Sequence, residues 1–184
     1  MELSNKQELS NKHRRFLLLD QGIFGIIPNL IINILITWLL NRSQSVIPLW
    51  GPKSIASDLI ATAFIMPVII CLIVSPLIFG KVWSGKMPPI LPEQLPHWRW
   101  YRRSRLVRGM LIGVFTVVFG AVPLVWALTL GEAQPFSLDS FVWFKAVWST
   151  MLALLITPKI AWWALANASR KIHTSSSKLR ERAF

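Results

Sequence analysis

Six polar residues at helical spacing, set in otherwise apolar stretches, are where this sequence has the means to do chemistry. Asn29, Asn33 and Thr37 follow one another four apart, and so do Ser54, Asp58 and Thr62. A spacing of four places each triplet on one face of a helix. In an antiparallel pair, residues at equal depth have a constant index sum. Asn29 with Thr62, Asn33 with Asp58 and Thr37 with Ser54 all share one sum. That register predicts a polar seam between two helices, with Asp58 level with Asn33. Polar groups in hydrocarbon need partners, so such a seam would hold the helices together.

Asp58 is the single acid inside any long apolar run. An ionisable residue at membrane depth is a functional-site candidate by default. The competing role is structural, because Asp58 lies about one turn from the start of its run, where a helix dipole favours an acid. The coincidence of three pairs speaks more for helix pairing than for a proton or cation path. Lys145 and Lys159 lie near opposite ends of a later apolar run, and both can extend along their stems to the nearest headgroups. Lys145 comes within reach of Asp58 if the second and fourth runs touch.

Two further patterns bear on contacts. Trp98, Arg99, Trp100, Arg102, Arg103 and Arg105 alternate rings with guanidiniums. That mixture suits a headgroup layer, with rings at the boundary and guanidiniums on anionic lipid phosphates. It is too short and too close to an apolar run to favour nucleic acid. Gly109, Gly113 and Gly120 lie along one run, where small residues let helix backbones approach closely.

Positioning these residues falls to four apolar runs, about 22–40, 55–79, 107–130 and 141–165. About 20 apolar residues span a bilayer, so each run is a candidate span. Pro28, Pro67, Pro76, Pro123 and Pro158 lie inside the runs, and neighbouring helices can satisfy the carbonyls they free. The first run is too long for a signal-peptide core and no small-residue cleavage site follows it. The composition agrees with lipid as the main solvent: 53% of residues are hydrophobic and 15% charged, against about 25% charged in soluble domains.

Net charge is +12, and its distribution orients the chain. Of the lysines and arginines, 17 lie in the N-terminal tail, in loop 81–106 with its helix edge, or at the end of the last run and beyond; Arg42, Lys53 and Lys145 are the remaining 3. Basic residues collect on the cytoplasmic side. The predicted fold is therefore all-α: a polytopic membrane protein of four transmembrane helices, arranged as two antiparallel hairpins, with both termini cytoplasmic. Residues 1–20 form a polar tail in which Glu2–Lys6 is repeated as Glu8–Lys12; residues 21–169 form the membrane domain; residues 170–184 form a basic tail. The expected location is a plasma membrane of bacterial type. A faint duplication runs through the hairpins. Ser75-Pro76 in the second run matches Thr157-Pro158 in the fourth, as a parallel repeat about the membrane normal would require.

The function classes narrow mostly by exclusion. His13, His97 and His173 lie outside the four runs, so bis-histidine haem binding at depth is not expected. A single cysteine, Cys71, leaves no pair for dithiol chemistry or an intrachain disulfide. Neither a P-loop nor a GxGxxG motif occurs. No enzyme and no cofactor are expected. The expected partners are the bilayer, with anionic lipid at the inner face, and a membrane-protein partner or further copies of the chain. Two functions follow: a non-enzymatic accessory or interaction subunit of a membrane assembly, or a small permease-like transporter using the polar seam around Asp58.

Overall fold

The structure, a computed structural model, describes residues 24–90, 104–131 and 135–182, with side chains from 27 to 174 within those stretches. Four helices make up nearly all of it: α1 (Phe24–Asn41), α2 (Ile55–Trp83), α3 (Arg105–Leu130) and α4 (Leu138–Arg182). The stretches Ile55–Trp83, Arg105–Leu130 and Leu138–Thr174 are long and apolar enough to cross a membrane. The stretch Ile27–Asn41 of α1 is apolar but shorter.

Local chemistry accounts for the helix ends. Ser54 caps α2: its Oγ accepts from Ser57 N–H, and Ser57 Oγ accepts in return from Ser54 N–H. This reciprocal box satisfies two amides that would otherwise be orphaned at a helix start. α2 stops where Gly85 takes φ +71°, a left-handed conformation that only glycine adopts at low cost. α3 carries a π-helical turn at Val117–Ala121, closed by Val122 N–H bonding Val117 O. Pro123 follows immediately and has no N–H to continue an α-helical ladder.

The helices do not pack as the predicted hairpins. α2 lies against both α3 and α4, while the main neighbour of α1 is α4. Gly109 meets Val68 and Gly113 meets Phe64, so α2 and α3 run antiparallel. Asp58 reaches Lys145 and Ile78 clusters with Ala164 and Leu165, so α2 and α4 run parallel, side by side. Half of the apolar stretch of α4 is buried, against 22% for α3, which makes α4 the most enclosed of the three long helices. The reason is its small residues. Ala146, Ser149, Ala153, Ala161, Ala164 and Ala168 are all buried, and they line one face of α4 along which neighbours can approach closely.

This packing has an internal two-fold pattern. α1 lies on α4 as α3 lies on α2, and α2 meets α4 in the middle. Exchanging the first hairpin for the second leaves this pattern of main contacts unchanged. The short connections meet across the same centre. Strand β1 (Val46–Ile47) pairs antiparallel with β2 (Phe136–Ser137). Ile47 and Phe141 are fully buried beneath them, packed with Leu59 and Val125.

At the opposite end, the chain leaving α2 folds back onto α4. Ile90 N–H donates to Ser169 Oγ at 2.8 Å, and His173 Nε2 lies 3.0 Å from Ile90 O. The sequence predicts a fourth apolar run ending near residue 165, then a short helix end and a solvated tail. Instead α4 continues unbroken to Arg182, 45 residues in all. At about 1.5 Å per residue, it is more than twice as long as a bilayer core of about 30 Å is thick. Neither Gly nor Pro follows Pro158. The fall in hydrophobicity near residue 169 does not stop the helix.

Candidate functional site

Asp58 sits in the first turn of α2, and its N–H bonds Ser54 O at 3.1 Å. Lys145 is two turns into α4 and 2% exposed. Lys145 Nζ lies 2.6 Å from Asp58 Oδ2, with the two side chains 3% and 19% exposed. Lys145 therefore does not extend to the end of its helix. The acid holds it inward, and the pair clamps α2 to α4, the contact on which the sequence reading made their meeting conditional.

The pair forms one end of a groove between α1 and α2, floored by α4, with a cavity volume of about 480 Å³. Its walls are aliphatic: Ile32, Ile36 and Leu40 from α1 face Ile65, Ile69 and Ile73 from α2. Its polar groups are Asn29, Asn33, Asp58, Thr62, Lys145 and Thr157. Four of the six predicted seam residues thus share one groove. They do not bond across it. Asn33 Nδ2 donates to Asn29 O at 2.8 Å and to Asn29 Oδ1 at 3.1 Å. Thr37 Oγ1 donates to Asn33 O at 2.6 Å. Asn41 Nδ2 continues the series by donating to Thr37 O at 2.9 Å. Short polar side chains bond the carbonyl one turn back along their own helix, so α1 needs no polar partner on α2. This corrects the expected seam. Thr37 is fully buried, and Ser54 serves as the α2 cap. One donor is left over, because Asn29 Nδ2 is buried with no hydrogen-bond partner.

The glycines divide. A Cβ on Gly109 would come 2.8 Å from Val68 Cα, and one on Gly113 would come 2.7 Å from Phe64 O. Both glycines are where α3 touches the α2 backbone. Gly120 has room, its nearest neighbour being Leu152 Cδ2 at 3.6 Å. Thr116, next along the glycine face, lies with Oγ1 2.6 Å from Ala63 O on α2. The sequence reading missed that bond, although the spacing Gly109, Gly113, Thr116 contains the signal. It also missed Thr157 in the groove and the hold of Ser169 and His173 on Ile90. Of the ring-and-guanidinium segment, Arg105 opens α3 and is exposed. Trp98, Arg99, Trp100, Arg102 and Arg103 lie outside the described residues.

The site can hold charge and offer hydrogen bonds in an apolar setting. Among the described residues, no group of three His, Cys, Asp or Glu side chains is placed to hold a metal ion. Cys71, the lone thiol, is buried and free. In comparisons with known protein families, curated proteins and solved structures, nothing matches this chain.

Proposed function

We propose that the chain is an integral membrane protein crossing the bilayer four times, with both termini and loop 81–106 cytoplasmic. In this reading it acts without catalysis, as an interaction subunit of a membrane assembly. The lysine and arginine asymmetry supports the orientation. The observation that carries the function is the α1–α2 groove, in which the one acid is already paired with Lys145 while the amide donor of Asn29 is not paired. The occupant we assign is a transmembrane helix of a partner protein bearing a hydrogen-bond acceptor. The groove follows the helix axes from Leu40 to Ile73, and interhelical hydrogen bonds to such donors hold helices together in lipid.

A photo-crosslinking residue at Ile65, on the groove wall, tests this in the native membrane. The expected result is a crosslink to a transmembrane segment of one defined protein, which also co-purifies at fixed ratio in mild detergent. The same probe at Val118, outside the groove, gives none. A lone monomer with no Ile65 adduct overturns the proposal.

One observation favours a second reading, a permease-like transporter. Asn29, Asn33, Asp58 and Thr62 share the groove with Lys145 and Thr157. Proton or cation flux in liposomes, abolished by Asp58→Asn in a folded protein, is the result that would establish it.

A further inference from the structure

The two-fold pattern gives the α1–α2 groove a counterpart between α3 and α4, with a cavity volume of about 470 Å³. Both lie in the size range of small-molecule sites, about 300–1,000 Å³. Their charges differ. The first has its ion pair at the end with the short connections. The second has one lining cation, Lys159, toward the opposite end. Its walls are Leu111, Phe115 and Phe119 from α3 and Leu152 and Leu155 from α4, and Lys159 and Trp163 stand at its mouth.

Arg108 continues the same stripe of α3. With Ile112, Phe115 and Phe119 it follows the helical spacing of one face. Ile112 packs in the cluster of Leu152 and Ile156, and Gly120 faces Leu152, so α3 and α4 run antiparallel here. Carried further, that register sets Arg108 level with Ala164, beside Trp163 and about one turn past Lys159, with Arg105 beyond it. Arg108 Nε is buried and has no hydrogen-bond partner. A guanidinium with an unused donor can offer it to an anion. A tryptophan beside it suits a membrane interface.

We propose that the α3–α4 groove is a binding site for one anionic phospholipid, its phosphate on Arg108 and Lys159 and an acyl chain along Phe115, Phe119 and Leu155. The charge complementarity decides the occupant: the cations collect at one end of a groove that is otherwise apolar. This rests on the membrane reading of the chain and is independent of any protein partner in the α1–α2 groove.

The test is native mass spectrometry of the purified chain in detergent, titrated with phosphatidylglycerol or phosphatidylcholine. The expected result is retention of one phosphatidylglycerol with a preference of roughly tenfold over phosphatidylcholine, the order expected for two cations facing one phosphate. Arg108→Gln with Lys159→Gln abolishes the preference. Gly120→Leu fills the groove from a position with room for a Cβ and lowers retention of both lipids. Equal retention of the two lipids by the unaltered protein overturns the proposal, as does a preference that survives the double substitution. If the double variant does not fold, the unaltered protein and Gly120→Leu decide: no preference, or no loss on filling the groove, refutes the site.

Discussion

Lys145 and Asp58 show how one residue's surroundings change what its type implies. A lysine near a helix end ordinarily reaches for water with its long stem. Here the ammonium stays buried against the Asp58 carboxylate at 2.6 Å. Removing one member of a buried pair strands the other charge. Lys145→Met is therefore expected to destabilise the protein by about 3 kcal/mol, the lower end for such pairs because Asp58 opens to the groove. Asp58→Leu added to Lys145→Met restores most of that loss, since replacing both charges with apolar groups is often near neutral. Unfolding in detergent by a reversible denaturant measures both. A double variant as unstable as the single one refutes the pair as the cause. The lone Asp58 was legible in the sequence as the one acid in an apolar run. Its partner was legible only as a condition, because nothing local says which helices touch.

Among the helices, close approach separates glycines that look alike in sequence. Gly109 and Gly113 meet α2 backbone at distances no Cβ tolerates, whereas Gly120 has open groove before it. Backbone cannot swing aside as a flexible side chain does. Gly113→Ala is expected to cost about 1–3 kcal/mol, the range for overpacking a tight contact. Gly120→Ala is expected to leave the melting temperature unchanged. Equal effects at the two positions would mean that α3 does not cross α2 at Gly113. The polar series on α1 follows the same logic. Its spacing was visible, but the same spacing serves two purposes. It lines up one face for a neighbouring helix, and it lets each side chain bond the carbonyl one turn back. The local bond won, because it needs no second helix to be in place.

For the molecule as a whole, the prediction concerns sidedness. A reporter fused after Phe184 is expected to read cytoplasmic, and one inserted near Ala133 external. A cytoplasmic reading at Ala133 would sink the four-span arrangement. The argument for it is the placement of 17 basic residues against 3, which reflects how basic segments resist translocation. The arrangement of helices adds a second argument. β1 and β2 close one end of the molecule together, so the two short connections lie on the same side.

From the sequence alone came the apolar runs and their ends, to within a few residues for the first three. All of these follow from composition and short-range spacing. Tertiary structure alone decided that α1 sits on α4, that the polar seam opens into a groove, and that α4 continues to Arg182. Neighbour choice depends on which helix offers a face of small residues for close approach. Ala146, Ser149 and Ala153 give α4 such a face. Such residues are common in every apolar run, and their effect appears only when the other helices compete for the same surface.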